Sequence, residues 1–203
     1  YLLANYEAVD LNGDGVISYV MFKGQEGNAE AEARTQFGVE DADTVLTEAG
    51  KPALAYYAGD VDTKYQVDQN GAWSAAAAVA YMDTILAEYS EANGNMVELI
   101  IANNDDMALG AIDVLLEAGV APEEMPVIVG VDATAPALEA MAAGTLSGTV
   151  QNAKEMPQVL MDLALSLYAG EDPAQAADLT AEHYVWLPYR EVNRENFRSF
   201  QEE

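Results

Sequence analysis

The segment Asp10–Ser18, with the sequence DLNGDGVIS, has the residue pattern of a calcium-binding loop. An EF-hand loop supplies oxygen ligands from alternate positions, places Gly at its central turn and ends on a bidentate Glu. The oxygen donors at those alternate positions here are Asp10, Asn12, Asp14, the carbonyl of Val16, and Ser18. The closing position is Met21, whose side chain cannot bind calcium. A calcium site therefore needs a carboxylate from elsewhere in the chain, whereas an Asx-rich surface turn needs none.

Polar side chains also end or follow three apolar segments that are typical of buried strands. These side chains are Asn104, Asp132 and Asn152. In an open α/β sheet, ligands bind at the carboxyl ends of the strands, and Asn and Asp can hydrogen-bond to sugar hydroxyls. Helix capping is the alternative role at such positions. We expect Asn103 or Asp105 to cap the helix that follows, and we favour a ligand contact over a cap for Asp132.

Strands and helices alternate along the chain, and this order indicates how the polar residues are positioned. Strands are predicted at 16–22, 52–58, 96–102, 126–132, 146–150 and 184–189. Helices are predicted at 28–37, 72–90, 107–119, 135–144 and 156–170, with a short terminal helix after Asn193. Strands that are separated by helices form βαβ units, and near-continuous apolar strands fit a sheet that is covered on both faces. The pattern predicts an α/β fold with a Rossmann-like, mainly parallel sheet flanked by helices.

Composition excludes several classes of function. The chain has 203 residues, of which 51% are hydrophobic, and a formal net charge of -27 from 35 acidic and 8 basic residues. Such a surface repels nucleic acid and anionic lipid. With no Cys and with His183 as the single histidine, thiol chemistry is absent and a Ser-His-Asp triad would depend on that residue. We expect His183 at the surface and both Tyr89 and Trp186 in the core.

Four motifs, in order and spacing, resemble the periplasmic galactose/glucose-binding proteins, which are bilobed sugar receptors of ABC importers with the type I periplasmic-binding-protein fold. The motifs are KGQEGNAEAEAR (23–34), ELIIANNDDMALGA (98–111), PVIVGVDATAPAL (126–138) and GTLSGTVQN (144–152). In that family a calcium loop also runs directly into a strand. The resemblance implies that Glu98 supplies the missing carboxylate and that the calcium is structural.

The resemblance also implies a set of sugar contacts. Arg34 matches an arginine that grips sugar oxygens, and Trp73 matches a ring that stacks on the pyranose. The strand-end contacts are Asn104, Asp132 and Asn152. Two positions depart from the family, since Asn28 and Glu30 stand where it has His and Asp, so the monosaccharide stays open. From spacing alone, Glu30 and Arg34 could be a surface pair, and Trp73 could pack in the core.

The domain organisation follows from the same resemblance. Residues 1–152 are expected to form the C-terminal lobe with the calcium loop. Residues 153–187 are expected to form a helix and strand of the N-terminal lobe, and residues 188–203 a return to the C-terminal lobe. Most of the first lobe is absent from this chain. Because YLLANYEAVD carries neither a charged start nor a cleavage site, residue 1 is not expected to be the natural start.

The resemblance predicts a non-enzymatic solute-binding protein whose partners are a monosaccharide, the membrane subunits of an ABC transporter and, in some members, a chemoreceptor. The expected location is extracytoplasmic, either periplasmic or lipid-anchored on a Gram-positive surface. Three alternatives stay open: the sugar-sensing effector domain of a regulator, an enzyme using Asp132 or Glu30, and a calcium-binding interaction module without a small ligand.

Overall fold

A computed structural model describes residues 1–90, 93, 95–180 and 183–201. The strands are β1 (Ser18–Lys23), β2 (Ala55–Tyr56), β3 (Gln66–Val67), β4 (Leu99–Ala102), β5 (Val127–Val129), β6 (Gly148–Gln151) and β7 (Arg190–Asn193). The helices are α1 (Tyr6–Val9), α2 (Ala29–Glu48), α3 (Ala75–Glu88), α4 (Asp105–Glu117), α5 (Ala135–Ala143), α6 (Met156–Ala169) and α7 (Phe197–Gln201). Short 3-10 turns lie at Pro122–Glu124 and Pro173–Gln175.

The strands of the described chain form one sheet in the order β2-β1-β4-β5-β6-β7, and β3 also pairs with β1. Every pairing is parallel except that of β6 with β7. In the centre of the sheet, Val20 of β1 aligns with Ile100 of β4, which aligns with Ile128 of β5. The predicted α/β fold with a mainly parallel sheet is therefore confirmed.

Alternation along the strands divides the core between the two faces of the sheet, because successive side chains point to opposite sides. On one face, Phe22 and Ile100 belong to a buried cluster with side chains of α3, α4, α5 and α7. On the other face, Met21 and Ile101 belong to a cluster with α1 and α2. Both faces of β1 and β4 are apolar, which explains why these segments read as near-continuous hydrophobic runs.

The face that α2 covers is open farther along the sheet. A groove of about 980 Å³ runs over β4, β5 and β6, and its walls include Ile101, Val127, Val129 and the exposed Phe37 of α2. Glu30 and Arg34 lie at its rim. Parallel sheets are normally covered on both faces, so this groove is an apolar surface that the described residues leave without a covering helix.

Helix α6 is similarly exposed. Ser166 is its buried residue, whereas Leu160 and Leu165 are exposed and Tyr168 is 93% exposed. Trp186, beyond this helix, is 81% exposed, so the prediction that it lies in the core is wrong; Tyr89 does pack partly buried against the core. No helix among the described residues is long and apolar enough to cross a membrane.

Two predicted strands differ most from the observed ones, and the short strand β3 was not predicted. Segment 184–189 contains no strand; the last strand begins at Arg190, which pairs with Gln151 of β6. Pro188 lacks the N–H that a ladder needs, and among the described strands none lies beside this segment. Segment 52–58 shortens to β2 because only Ala55 and Tyr56 pair with β1.

Candidate functional site

Arg34 of α2 joins the polar groups at the carboxyl ends of the strands. Its Nη1 donates a hydrogen bond of 2.8 Å to the carbonyl oxygen of Asn103 and lies 4.0 Å from Asp132 Oδ1. Its Nη2 lies 3.7 Å from Glu30 Oε1. The Arg34 side chain is only 16% exposed, whereas that of Glu30 is 59% exposed. The helical Glu30–Arg34 pair therefore exists, but the guanidinium is turned inward and also contacts Asn103 and Asp132 at the strand ends.

Asp132 and Asn152 form the second part of this cluster. Asn152 Nδ2 donates to Asp132 Oδ1 at 2.8 Å, and Asn152 Oδ1 is buried without a hydrogen-bond partner in the described part of the chain. Burial raises the pKa of the Asp132 carboxyl, although the Asn152 hydrogen bond and the charge of Arg34 act to lower it. The exposed part of the Asp132 carboxylate, whose side chain is 31% exposed, can accept hydrogen bonds from a ligand that carries hydroxyl groups.

Trp73 brings an apolar ring to the same cluster. The centre of its ring lies 5.6 Å from Arg34 Cζ, and its carbonyl accepts a hydrogen bond of 3.0 Å from Asn104 Nδ2. The ring covers Gly24 so closely that an added Cβ there would lie 2.0 Å from Trp73 Cδ2. Trp73 is half-buried, so its ring is neither enclosed in the core nor fully exposed.

The backbone is strained at two places in this cluster. Trp73 has φ 55°, Asp132 has φ 121° and Ala133 has φ 54°. Non-glycine residues in such conformations cost on the order of 1–3 kcal/mol each and persist where surrounding contacts hold them. Strain of this kind concentrates at functional sites, and here it falls on two of the predicted sugar-binding residues.

Helix capping differs from the prediction in this region. Asn104 is the N-cap of α4, since its Oδ1 accepts from Met107 N at 3.0 Å, so the assignment of that role to Asn103 or Asp105 is wrong. The extended backbone of Asn104 (φ -146°, ψ 173°) suits an N-cap. Asp132 caps no helix, because Thr134 is the N-cap of α5.

Asn28 lies at the start of α2, where its Oδ1 accepts from Glu30 N and Ala31 N. Its side-chain oxygen thus caps the helix, and its amide nitrogen remains for a ligand. The predicted sugar-binding residues therefore form one connected group, which we call the carboxyl-end cluster: Asn28, Glu30, Arg34, Trp73, Asn104, Asp132 and Asn152.

Sequence reasoning missed two buried charges beside this cluster. Lys23 is buried at the end of β1, where its Nζ lies 2.8 Å from Glu32 Oε1 and 3.1 Å from Glu26 Oε1. Burial opposes the charge on Lys23, but these hydrogen bonds outweigh it and raise its pKa. Asp105 is also buried, and burial raises the pKa of its carboxyl to about 6 despite hydrogen bonds from Thr149 and Thr134. For Lys23, a charged residue at the end of an apolar strand was the available signal, whereas Asp105 opens α4 and was considered only as a helix cap.

The Asp10–Ser18 loop meets Glu98 at the opposite ends of the strands. Glu98 is fully buried; its Oε1 accepts from Asn12 N at 3.2 Å and its Oε2 from Ser18 N at 2.8 Å. The Asp10 carboxylate accepts from three amides of the loop, among them Gly15 N at 2.8 Å. The structure therefore brings together the loop and the distant carboxylate that the resemblance assigned to it.

The donor chemistry of this loop suits calcium, a hard cation that binds oxygen. Burial, followed by the negative charges of Asp10, Glu98 and Asp14, raises the pKa of Tyr6, whose hydroxyl donates to Gly15 O. No ion pair links these three carboxylates to a Lys or Arg in the described chain. However, no three His, Cys, Asp or Glu side chains are arranged to hold a metal ion within residues 1–90, 93, 95–180 and 183–201. The donor types fit calcium, while the carboxylates do not converge on one point.

The sequence matches a family model. Residues 1–172 match the model of a periplasmic binding protein domain. The chain is 31% identical over 195 residues to a D-galactose/methyl-galactoside binding periplasmic protein of Haemophilus influenzae. This match covers 95% of the chain and 53% of that protein, so the chain spans about half the length of this curated relative.

Solved structures share the fold. An ABC transporter solute binding protein from Clostridium phytofermentans with bound β-D-glucose superposes with a TM-score of 0.70 at 18% identity, over 98% of this chain and 61% of that one. An ABC transporter solute binding protein from Bacillus halodurans with bound myo-inositol superposes with a TM-score of 0.68 at 22% identity. This match covers 98% of this chain and 58% of that one.

Proposed function

Because the chain belongs to the periplasmic binding protein family, we propose that it is the C-terminal lobe of an extracytoplasmic solute-binding protein that delivers a monosaccharide to an ABC importer. The observation that carries this proposal is Arg34, which joins Asp132, the Asn103 carbonyl and the Trp73 ring at the carboxyl ends of the strands.

A sugar matches the chemistry of the carboxyl-end cluster. Its hydroxyls can donate to the half-buried Asp132 carboxylate, and its ring or hydroxyl oxygens can accept from Arg34. The C–H face of a pyranose can stack on the half-exposed Trp73 ring. Pockets of this type combine a few directional polar groups with an apolar surface, and binding then depends on geometry more than on net charge.

The relatives favour a neutral ring with many hydroxyl groups. The Haemophilus influenzae protein is named for D-galactose and methyl-galactoside, and the two structures hold β-D-glucose and myo-inositol. We propose a glucose- or galactose-like monosaccharide. Asn28 and the exposed Glu30 lie at the rim of the cluster, so these two positions are the ones that would select among such rings.

Two apolar surfaces support the expected division into lobes. Helix α6 exposes Leu160, Leu165 and Tyr168, as expected for a segment that belongs to the other lobe. The open groove over β4–β6 is apolar as well. Since the relative is about twice as long, further polypeptide of the whole protein would cover these surfaces and close over the sugar. The division at 152/153 and 187/188 remains a prediction.

We further propose that the Asp10–Ser18 loop and Glu98 hold a structural calcium ion. The residues that would hold it are Asp10, Asn12, Asp14, the Val16 carbonyl, Ser18 and Glu98. A bound cation would compensate the fully buried Glu98 carboxylate, because a buried charge without a counter-charge is costly. The ion would stabilise the folded lobe by mass action, since a ligand that binds only the folded state shifts the folding equilibrium.

The remaining partners follow from the family. The closed, sugar-loaded form would be recognised by the membrane subunits of an ABC transporter and, in some settings, by a chemoreceptor. Its expected location is the periplasm or, with a lipid anchor, a Gram-positive surface.

Isothermal titration calorimetry tests this proposal. The calcium-loaded chain is titrated with glucose, galactose and myo-inositol, beside the same chain joined to its complementary first lobe, with Arg34→Met as the site variant and Arg198→Met as the charge-matched control on exposed α7. We expect binding by the two-lobed form, its loss in Arg34→Met and its retention in the control. Absence of heat with every sugar in the two-lobed form would overturn the monosaccharide proposal, and turnover of nitrophenyl glycosides would favour an enzyme.

A further inference from the structure

Asp105 is a fully buried carboxylate next to the carboxyl-end cluster. Its Oδ1 accepts a hydrogen bond of 2.6 Å from Thr149 Oγ1. Its Oδ2 accepts from Thr134 N at 2.8 Å and from Thr134 Oγ1 at 3.2 Å. The carboxylate thus links the start of α4 to the N-cap of α5 and to β6.

These bonds hold both ends of the loop that carries Asp132. On the near side, Asp105 N donates to Val131 O at 2.8 Å. On the far side, the carboxylate binds Thr134, and Thr149 Oγ1 also accepts from Ala133 N at 3.3 Å. Within the Val131–Thr134 loop, three of the four residues therefore form hydrogen bonds with Asp105 or Thr149. The exception is Asp132, whose N donates to Val150 O at 2.8 Å.

The loop needs such support because two of its consecutive residues, Asp132 and Ala133, have positive φ angles. A strained conformation persists only where surrounding contacts determine it. Gly130 leaves the space that the carboxylate requires, since an added Cβ there would lie 2.5 Å from Asp105 Oδ1. The positive φ angles, Gly130 and the hydrogen bonds that Asp105 accepts are therefore all in this short loop or directly beside it.

We propose that Asp105 is a positioning residue for ligand binding: without contacting the ligand, it holds the Val131–Thr134 loop so that the Asp132 carboxylate faces Arg34 and Asn152. The ligand part of this inference rests on the proposed function. Being fully buried, Asp105 acts through Asp132, which is half-buried and reachable.

The substitution Asp105→Asn tests this role with little change in volume. An amide can keep its oxygen toward Thr134 and turn its NH2 group toward Thr149, so the short bond that Thr149 donates to a carboxylate is replaced by a weaker bond in which Thr149 Oγ1 accepts. Asp106→Asn is the matched control, because Asp106 is the exposed neighbour in the same helical turn. Thr149→Val, which removes the hydroxyl that donates to Asp105 and accepts from Ala133 N, is the second variant in case Asp105→Asn does not fold.

The direct measurement is residue-resolved amide hydrogen exchange of the 203-residue chain, which reports local opening separately from global unfolding. We expect Asp105→Asn to speed exchange at Asp132, Ala133 and Thr134 by about tenfold or more, with Val20 and Ile100 in the core unchanged. Thr149→Val should also speed exchange in this loop, most of all at Ala133, whose N–H loses its acceptor, and Asp106→Asn should leave the loop unchanged. Equal acceleration in core and loop, or an unchanged loop, would overturn the positioning role.

Sugar affinity of the two-lobed form is the second readout. We expect Asp105→Asn to weaken binding by about tenfold, which corresponds to a measurable rise in Kd, while Asp106→Asn leaves it unchanged. If the loop loosens and sugar affinity does not change, the role in ligand binding is overturned. If the unmodified two-lobed protein binds no sugar, the proposed function fails, and the exchange experiment still decides whether Asp105 holds the loop.

Discussion

The amino and carboxyl ends of the parallel strands differ in whether their carboxylates have a basic partner. At the amino ends, Ser18 and the buried Glu98 face a loop rich in Asp and Asn, and no Lys or Arg forms an ion pair with these carboxylates in the described chain. At the carboxyl ends, Asp132 lies within 4.0 Å of Arg34. The carboxyl ends thus contain a basic partner for Asp132, whereas at the amino ends Glu98 accepts hydrogen bonds from Asn12 N and Ser18 N.

This difference is the one we expect between the proposed ligand site and the proposed calcium site. A buried carboxylate is tolerated when it is paired or hydrogen-bonded. At the carboxyl ends, pairing with Arg34 and an aromatic ring leaves partly exposed polar groups for a neutral ligand. The amino ends supply carboxylate, carbonyl and hydroxyl oxygens, which are donor types that suit the proposed calcium ion. Each of the following predictions alters one side of this comparison.

The largest effect is expected when the cation of the carboxyl-end cluster is removed. Arg34→Met leaves Asp132 and the Asn103 carbonyl without their partner, and loss of one member of a buried pair costs about 3–5 kcal/mol. Because Asp132 is partly exposed, we expect the free energy of unfolding to fall by about 3 kcal/mol, measured by urea denaturation. Arg198→Met, which removes the same charge from α7, should change it little; equal effects of both would contradict the special role of Arg34.

The next effect concerns the amino ends. Calcium at about one hundred times its Kd should raise the free energy of unfolding by about 3 kcal/mol, measured by calorimetry with calcium or with EGTA. Glu98→Gln should abolish this increment, and Glu123→Gln, on an exposed turn, should keep it. A melting temperature of the unaltered chain that is the same in both conditions would rule out the calcium proposal.

A pH dependence is expected from Asp105. Burial raises the folded-state pKa of Asp105 to about 6, above the usual Asp value of 3.8, so between these pH values the folded form holds a proton that the unfolded form has released. Stability from this group is therefore lost as the pH rises from about 4 to about 6, by about 1–3 kcal/mol. Urea unfolding of the unaltered chain and of Asp105→Asn across this range should diverge; parallel curves would contradict the raised pKa.

The smallest effect is expected at Glu30. Its carboxylate lies 3.7 Å from Arg34 Nη2 but is largely exposed, and exposed pairs contribute about 0–1 kcal/mol. Glu30→Gln should change the unfolding free energy by less than about 0.5 kcal/mol, well below the effect of Arg34→Met. A larger loss would mean that Arg34 depends on Glu30 as well as on Asp132 for its counter-charge.

Local patterns predicted much of the fold. The apolar runs at β1, β4 and β5 and the helices between them were readable because hydrophobic periodicity is a property of the sequence itself. The strand predicted at 184–189 was wrong, because a strand also needs a neighbouring strand to pair with, and Pro188 removes a hydrogen-bond donor. The length of α2 was underestimated, since Gly38 within it lowers helix propensity, yet the helix runs to Glu48.

The candidate site was predictable in its members but not in their connections. Residue types after strands indicated Asn104, Asp132 and Asn152, and family resemblance added Arg34 and Trp73. No local pattern indicated that Asn104 would be the helix cap. That outcome depends on backbone angles, which tertiary contacts select.

The sequence by itself determined the parallel α/β architecture, the calcium-type loop and the polar character of the strand ends, since each depends on residues that are close along the chain. Only the tertiary structure decided that Glu98 meets the loop from more than 80 positions away, that Arg34 turns inward to Asp132, and that Asp105 holds a strained loop. These contacts join distant segments in a folded sheet, where burial and charge compensation, rather than sequence spacing, select the partners.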